Sequence, residues 1–141
     1  STLWLAQAAV AIGGQVTTIE RSEFKQQLAA KNFERSGIAH AITPVQGDAM
    51  DFLATAPDAS YDLIFLDSER AEYPAWQGNL KRILREGGLL VVDNATSHAD
   101  EMAPFVALIS TDTDFTHCTV PVGNGEFLAT RSMRSTSARP I

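Results

Sequence analysis

The chain has 141 residues, of which 45% are hydrophobic and 20% are charged, a composition typical of one globular domain with its own core. No apolar run reaches the roughly eighteen residues that span a bilayer, and the apolar start of the chain carries no basic residue, so neither a transmembrane helix nor a signal peptide is expected. The net charge of −6 argues against a nucleic-acid partner. Cys118 is the single cysteine, which excludes an internal disulfide and fits a reducing, cytoplasmic compartment.

The first part of the chain alternates helix and strand patterns. Residues 2–12 are mostly apolar and predict a buried helix that ends at the glycines of 13–14. Residues 16–19 are β-branched and predict a short strand, after which Ser22 can cap a second helix. Gly37 stands where that helix should end. The predicted apolar face of the second helix consists of Phe24, Leu28 and Phe33.

Three further strands are predicted in the body of the chain. Residues 41–45 form a candidate strand, which Pro44 restricts to an edge or a short length, and a helix through Leu53 follows it. Residues 61–66 and 89–92 are nearly continuous apolar runs, the pattern of strands that are buried on both faces of a parallel sheet.

The remaining elements are two helices and a hairpin. The helix after the first apolar run is predicted to stop at the glycines of 87–88. Residues 115–122 and 126–130 flank a Gly-Asn-Gly turn and predict a hairpin. The Ser- and Arg-rich tail of 132–141 is predicted to be disordered. The apolar faces of the two helices are predicted from Trp76, Leu80, Ile83 and Leu84, and from Met102, Phe105, Val106 and Ile109.

This order of elements predicts an α/β fold, a doubly wound, Rossmann-like and mostly parallel sheet with a C-terminal antiparallel hairpin. The sequence begins within a helix, where such a fold normally has a central strand and a glycine-rich turn. The first strand is therefore expected to be missing from this chain, and residues 1–131 are interpreted as an N-terminally truncated domain.

Polar residues end four of the predicted strands. In open α/β sheets, ligands bind beyond the carboxyl ends of the strands, so residues at these ends should share one edge. The residues are Glu20, Gly47 with Asp48, Asp67, and Asp93 with Asn94.

Two of these positions suit a nucleotide cofactor. Glu20 could accept both ribose hydroxyls, or it could be a solvated carboxylate or a cap for the helix near Ser22. Asp48 could bond an adenine amino group, with Ala49 contributing its backbone amide, or it could cap its own helix. The residue types leave both alternatives open.

Asp67, Asp93 and Asn94 offer two carboxylates and an amide oxygen, which are hard ligands suited to Mg²⁺ or Ca²⁺ rather than zinc. The alternative is structural: Asp67 caps the segment after it, and Asp93 and Asn94 form an Asx-turn. His98 is interpreted as a helix cap or first-turn residue rather than a base.

Tyr73 and Trp76 could wall a substrate pocket, although Trp76 also fits a core helix face.

Residues 1–131 resemble the cation-dependent O-methyltransferases that use S-adenosylmethionine, the caffeoyl-CoA and catechol O-methyltransferase group. The segment YDLIFLDSERAEY, residues 61–73, is similar to the family's FDFIFVDADKxxY. The segment GGLLVVDN, residues 87–94, is similar to its GGxxxxDN. Ser1-Thr2-Leu3 resembles the end of the stretch that follows the family's first strand.

The resemblance implies methyl transfer from S-adenosylmethionine to a hydroxyl oxygen of a small molecule, assisted by Mg²⁺ or another divalent cation, in a protein whose relatives are often dimers. It implies metal ligation by Asp67, Asp93 and Asn94, and catalytic roles for Asp67 and Arg70. The cofactor-binding positions that it implies are Ser1, Glu20, Arg21, Gly47, Asp48, Ala49 and Asp67.

Arg70 stands where the family has lysine. Arginine stays protonated in proteins and cannot be a general base, so Arg70 is expected to stabilise an oxyanion or an acidic group of the acceptor. Water on the metal or His98 would then be the base. The alternative functions are a metal-independent methyltransferase of the same fold, a nicotinamide-dependent reductase, and a non-catalytic module.

Overall fold

The computed structural model describes residues 1–134. The chain forms two compact units, Ser1–Thr55 and Ala56–Ile141. Helices, parallel strands and an antiparallel hairpin occur in the predicted order, so the mixed α/β class is confirmed. The strands form two hydrogen-bonded sheets, one in each unit.

The first unit is built around two parallel strands. Its elements are α1 (Thr2–Ala11), β1 (Val16–Glu20), α2 (Glu23–Ser36), a 3₁₀ turn (Ala39–Ala41), β2 (Ile42–Gln46) and α3 (Ala49–Thr55). The strands pair in parallel from Val16 with Ile42 to Glu20 with Gln46. Pro44 lies in an edge strand, as its lack of a backbone N–H predicted.

The ends of α2 are set by the two residues that the sequence indicated. The Ser22 hydroxyl accepts a hydrogen bond from the Lys25 N–H at 3.3 Å, which satisfies one free donor of the first turn. Gly37 follows the helix with φ of 75°, a left-handed conformation that glycine adopts without strain. Both predictions are confirmed.

The predicted apolar faces of α1 and α2 are mostly wrong. Only Ala6 of α1 is buried, and Trp4 is 77% exposed. Within this unit α1 packs on β1 and the 3₁₀ turn. These contacts bury only one side of the helix, whereas its apolar residues lie on all sides. In α2 only Phe33 is buried, whereas Phe24 and Leu28 are exposed. Five residues rotate about 140° around a helix, so Phe33 does not share a face with Leu28.

The second unit contains a four-stranded mixed sheet. Its elements are β3 (Tyr61–Leu66), a 3₁₀ turn (Arg70–Glu72), α4 (Tyr73–Ile83), β4 (Leu84–Val92), α5 (Ala99–Thr111), β5 (Phe115–Val120) and β6 (Glu126–Arg131). The strand order is β3-β4-β6-β5, with β3 and β4 parallel and the other pairs antiparallel. The hairpin prediction is confirmed, and its second strand pairs with β4.

The core of this unit is formed where α4 and α5 pack on each other and on the sheet. Phe105 lies edge-on to both Tyr73 and Phe127, with ring centroids 5.7 Å and 6.5 Å apart. Tyr73 and Trp76 are 1% and 3% exposed, so they belong to the core and do not wall a pocket. Other fully buried members are Leu80, Ile83, Leu84, Leu90, Val92, Met102 and Ile109.

The glycines at 87 and 88 do not stop a helix, contrary to the prediction. Helix α4 ends at Ile83, and β4 runs from Leu84 through both glycines. Gly87 has φ of 72°, and the pairing of β3 with β4 is irregular between Tyr61 and Leu63. A Cβ on Gly88 would lie 2.7 Å from a Leu84 methyl carbon. The glycines therefore permit a local irregularity in the strand.

The start of the predicted disordered tail is ordered. The Ser132 N–H donates to the Asp114 carbonyl at 2.7 Å, and the Arg134 Nε lies 3.3 Å from a Glu86 carboxylate oxygen. The rest of that predicted tail lies outside the described residues. Within residues 1–134, every helix is too short or too polar to cross a membrane.

Candidate functional site

In the first unit, the carboxyl ends of β1 and β2 bring Glu20 and Gly47 together. Glu20 pairs with Gln46 across the strands, and the Gly47 N–H donates to the Glu20 carbonyl at 3.1 Å. The Glu20 side chain accepts a hydrogen bond from the Ser22 N–H at 2.7 Å. One carboxylate oxygen thus supports the turn into α2, in agreement with the structural alternative for Glu20.

Asp48 lies in the loop between β2 and α3. One oxygen of its carboxylate accepts the Met50 N–H at 2.8 Å, which is the helix-capping role considered from the sequence. The other oxygen lies 3.5 Å from Nε of Arg21. Ala49 begins α3. The residues expected at the cofactor's nucleoside are therefore neighbours in this unit.

Ser1 and Glu20 line one cavity of about 350 Å³. Ser1 precedes α1 and makes no side-chain capping bond. Beside it, the hydroxyls of Thr2 and Thr18 lie 3.3 Å apart, which ties the start of α1 to β1. The other lining residues include Trp4, Ile19, Lys25, Asn32 and Phe33. The family resemblance implied that Glu20 holds the cofactor's ribose and that Ser1 contacts its methionine end.

In the second unit, the pairing of β3 with β4 positions Asp67 and Asp93. Leu66 and Val92 are partners across the strands, and the Asp93 N–H donates to the Leu66 carbonyl at 3.0 Å. Each aspartate directly follows one partner of this pair. Asn94 continues the chain with φ of 62°, a left-handed conformation that asparagine tolerates better than most residues. The ends of β3 and β4 are therefore adjacent.

The loop of the β5–β6 hairpin packs against the turn after β4. The Asn124 side-chain amide donates to the Asn94 amide oxygen at 3.1 Å. The backbone carbonyl of Asn124 accepts the Thr96 N–H at 3.0 Å. The Ala95 N–H donates to the Gly125 carbonyl at 2.8 Å. Asn94 in turn donates its backbone N–H to the Asp93 carboxylate at 2.6 Å. Asn124 was not among the residues singled out in the sequence.

Glu126, the first residue of β6, is a third carboxylate at this place. Burial raises the pKa of its carboxyl group, and so do a hydrogen bond to Asp93 and the negative charges of Asp93 and Asp67. Its Oε2 atom is buried and has no hydrogen-bond partner among residues 1–134. Sequence reasoning missed Glu126 because the hairpin pattern does not reveal that β6, rather than β5, pairs with β4. The available indication of a role for Glu126 in the sequence was that this acidic residue directly follows a turn glycine, Gly125.

The donors in this cluster are compatible with a divalent cation. The candidate metal ligands are all carboxylate or amide oxygens, which suit Mg²⁺ or Ca²⁺. In addition, the Glu126 Oε2 atom accepts no hydrogen bond from residues 1–134. Within residues 1–134 no three His, Cys, Asp or Glu side chains form a ready metal-binding group. A cation here would therefore depend on the Asn94 amide oxygen as well as on carboxylates.

Arg70 lies in the 3₁₀ turn that follows Asp67. Its side chain is 16% exposed, and Nη1 lies 3.6 Å from a Glu101 carboxylate oxygen. Its Nε atom is buried, and no atom in the described part of the chain accepts a hydrogen bond from it. A long ion pair to a more exposed carboxylate leaves part of the guanidinium unsatisfied.

His98 is the N-cap residue of α5, as the sequence favoured. Its Nδ1 atom lies 2.9 Å from the Ser97 hydroxyl, and both residues line a cavity of about 270 Å³ at the start of α5. Glu101, the ion-pair partner of Arg70, lines the same cavity. The cavity therefore lies next to the Arg70 guanidinium.

Comparison with known proteins identifies relatives over most of the chain. A family model described as O-methyltransferase matches residues 1–132. The catechol O-methyltransferase of Mycobacterium tuberculosis is 35% identical over 94 residues, which cover 67% of this chain and 42% of that protein. The crystal structure of the O-methyltransferase TomG from Streptomyces achromogenes, in complex with SAM, superposes with a TM-score of 0.78 at 25% identity, covering 93% of this chain and 67% of that one.

The chain is shorter than these relatives. It spans 42% of the M. tuberculosis catechol O-methyltransferase, and about 65% of a Mycobacterium homologue that carries an O-methyltransferase name and is 33% identical. The Rossmann-like architecture inferred from the sequence agrees with the structural neighbours, among them cofactor-bound Rv0187 with a TM-score of 0.83.

Proposed function

We propose that this chain, which belongs to the O-methyltransferase family, carries out methyl transfer from S-adenosylmethionine to a hydroxyl oxygen of a small molecule, with help from a divalent cation. The observation that carries the proposal is the register of β3 and β4, which sets Asp67 beside Asp93 and Asn94 at the strand ends. Residues 1–131 form the methyltransferase domain in this proposal.

The first unit would bind the nucleoside part of the cofactor. The Glu20 carboxylate would accept hydrogen bonds from the ribose hydroxyls, because its strand-end position matches that of nucleotide-binding acids. Asp48 and the Ala49 N–H would contact the adenine, with Gly47 giving room beside them and Arg21 fixing the Asp48 carboxylate. Ser1 would contact the methionine end. When bound, the cofactor supplies the methyl group on a sulfonium sulfur.

The second unit would bind the cation and orient the acceptor. Asp67, Asp93 and Asn94 would hold a divalent cation through oxygen atoms, which Mg²⁺ prefers. When bound, the cation supplies positive charge that favours the oxyanion form of the acceptor hydroxyl. Holding the acceptor oxygen and the methyl group in line lowers the entropic part of the barrier.

Arg70 would stabilise negative charge on the acceptor. Its guanidinium is mostly buried and is only partly satisfied by Glu101, so an acidic group could take up the remaining donors. Because arginine keeps its proton, Arg70 cannot be the base. His98 lines the adjacent cavity and is the residue proposed to take the hydroxyl proton when water does not.

The proposal is tested with the complete natural polypeptide that contains this sequence. Calorimetry with S-adenosylmethionine and with NAD should show binding of the former alone, and a catechol should accept a labelled methyl group in the presence of Mg²⁺. Glu20→Gln should weaken S-adenosylmethionine binding by about tenfold, the loss of a charge-assisted hydrogen bond. Glu34→Gln, the same change at an exposed position of α2, is the control. Binding of NAD in place of S-adenosylmethionine would refute the proposal.

A metal-independent methyltransferase is the second candidate. It is favoured by the hydrogen bonds that Asp93 accepts from the Asn94 N–H and that Asn94 accepts from the Asn124 side chain, which give both residues a structural role. Asp93→Ala distinguishes the two candidates. If activity and Mg²⁺ dependence are unchanged in this variant, Asp93 is not a metal ligand. If both the natural protein and the variant are equally active in EDTA, the second candidate is correct.

We further propose a cytoplasmic setting, a homodimer, and the absence of nucleic-acid and membrane partners. The exposed, unpaired Cys118 is compatible with a reducing compartment. The net charge of −6 opposes binding to polyanions. Size-exclusion chromatography with light scattering would determine the oligomeric state.

A further inference from the structure

We propose that the outer edge of β5 (Phe115–Val120) pairs with β5 of a second copy of this chain, in antiparallel orientation about a twofold axis that passes beside Cys118. The inference goes beyond the proposed function, because it gives the proposed homodimer an interface that contains none of the site residues. β5 is the last strand of the four-stranded sheet, and among residues 1–134 it pairs only with β6. Its other edge has no strand neighbour in that part of the chain.

The hydrogen bonds of the hairpin identify the backbone groups of β5 that face the outer edge. The Ser132 N–H donates to the Asp114 carbonyl at 2.7 Å, and these residues continue the register of β5 with β6. Bonded and non-bonded pairs alternate along an antiparallel ladder, so His117 and Thr119 direct their backbone groups away from β6. Within residues 1–134 nothing pairs with these N–H and carbonyl groups. They are available to a second strand.

Within residues 115–120 no feature opposes the approach of another strand. Soluble proteins usually protect a sheet edge with lysine, proline or a bulge. β5 contains neither lysine nor proline, and its register with β6 is regular from Phe115 with Arg131 to Val120 with Glu126. The four residues between Phe115 and Val120 are all exposed, on both faces of the strand. The edge is therefore accessible and unprotected.

The composition of β5 favours a second copy of the same chain as the partner. The whole chain has a net charge of −6, so two copies repel each other wherever their acidic surfaces meet. The sequence FTHCTV of β5 contains no Asp or Glu, and two copies can approach along it without this repulsion. A twofold axis is also self-complementary, because each copy supplies the donors and acceptors that the other lacks.

The side chains favour the register that is centred on Cys118. A twofold axis perpendicular to the sheet places one residue opposite itself, either His117 or Cys118. In the register centred on Cys118, Thr116 faces Val120 of the second copy, a β-branched pair of the kind that stabilises sheets. His117 and Thr119 of the second copy then exchange both backbone hydrogen bonds. The register centred on His117 would bring two imidazole rings together instead.

This register makes the exposed Cys118 thiol a probe of the pairing. Directly opposite residues of a non-hydrogen-bonded antiparallel pair have Cα atoms about 4.5 Å apart, a separation that a disulfide can span. The complete natural polypeptide, treated with the thiol oxidant diamide, should therefore form a covalent dimer that Cys118→Ala abolishes. Thr116→Cys combined with Cys118→Ala should not form it, because the two residues at position 116 would lie about 14 Å apart along the strands.

The strength of the pairing is measured by sedimentation velocity of the reduced natural polypeptide over a range of concentrations. Cys118→Lys places two ammonium groups opposite each other, and we expect the dissociation constant of the dimer to rise by about tenfold or more. Cys118→Ser keeps the position uncharged and should leave the constant within about twofold. Gln27→Lys adds the same charge at an exposed position of α2 and should not raise it. The thermal midpoint of each monomer verifies that the variants fold.

The outcomes separate this inference from the proposed function. A disulfide at Cys118 together with a dimer that Cys118→Lys dissociates would support the inference. A polypeptide that stays monomeric, or whose Cys118 is shielded from thiol reagents by another segment of the same polypeptide, would overturn it. So would a dimer with equal dissociation constants in Cys118→Lys and Cys118→Ser, and the proposed homodimer would then use another surface. Methyl transfer is expected in either case, because β5 carries none of the residues assigned to it.

Discussion

The phenol of Tyr73 forms two hydrogen bonds with the backbone of Ser68. Its oxygen accepts the Ser68 N–H at 2.7 Å and donates to the Ser68 carbonyl at 3.0 Å. Burial raises the Tyr73 pKa against the opposing effect of the Ser68 hydrogen bond, so the hydroxyl stays protonated. A core residue of α4 thereby fixes the loop that carries Asp67 and Arg70.

Tyr73→Phe should loosen that loop without unfolding the core. The ring contacts with Trp76 and Phe105 remain, but the Ser68 N–H and carbonyl lose their partner. We expect a loss of about 1–2 kcal/mol in unfolding free energy. Hydrogen exchange at the Ser68 amide should accelerate more than exchange in β4. Unchanged exchange at Ser68 would contradict the positioning role.

Gly125→Ala should separate the hairpin from the turn after β4. The new methyl group would overlap the Thr96 side chain, and the backbone has φ of 89°. We expect destabilisation of about 1–3 kcal/mol from overpacking. Gly123→Ala is the matched control, because its φ is 57° but no atom lies within 4 Å of the new Cβ. Chemical denaturation of both variants measures the difference, and equal losses would show that contact with Thr96 does not matter.

Arg70→Met should impair methyl transfer while preserving cofactor binding. The change removes a largely buried positive charge and keeps much of the aliphatic packing. We expect kcat/KM to fall by about 10²-fold, the effect of losing one positioned donor to a developing anion. Arg134→Met, at a side chain that is 86% exposed, should have no effect. A normal kcat/KM in Arg70→Met would exclude the proposed role.

Asp112→Asn should produce a pH-dependent loss of stability. Burial opposes ionisation of Asp112, but the hydrogen bond from Lys81 and the N–H of Asp114 outweigh it and hold the pKa below its ordinary value. A lowered folded-state pKa gives stability that is present above the ordinary value of 3.8 and disappears as the pH falls through the folded-state value. We expect a difference of about 1–2 kcal/mol at pH 7 that vanishes near pH 2.

Denaturation at both pH values would measure this difference, with Asp62→Asn as the control. Asp62 forms an ion pair with Arg85, but its side chain is 81% exposed, so the loss should be about 0.5 kcal/mol or less. A difference between Asp112→Asn and the natural protein that persists at low pH would point to packing rather than charge.

The sequence predicted elements best where local chemistry determines them. Ser22 and Gly37 mark the ends of α2 because capping depends on the residue itself and its near neighbours. The apolar runs correctly located β3 and the second half of β4, but the predicted burial on both faces is wrong for β3, where only Leu66 is buried and Leu63 is 40% exposed. The glycines at 87 and 88 were misread because a turn and a strand irregularity require the same backbone freedom.

The candidate site was predictable only in part, for a related reason. Asp67, Asp93 and Asn94 follow strands whose parallel order can be inferred from the helices between them. Glu126 and Asn124 reach the same place through the pairing of β6 with β4, a contact between distant segments that no local pattern specifies. The exposure of Phe24 and Leu28 likewise depends on what packs against α2.

The strand order of the second unit also bears on how its site comes into being. β6 follows β5 in the chain but lies between β4 and β5 in the sheet. While a ribosome is making this protein, β4 has no neighbour on that side until β6 has emerged. Glu126 therefore reaches Asp93 only when β6 pairs with β4, which is also the step that completes the sheet. A nascent chain that stops before β6 lacks both the complete sheet and the third carboxylate.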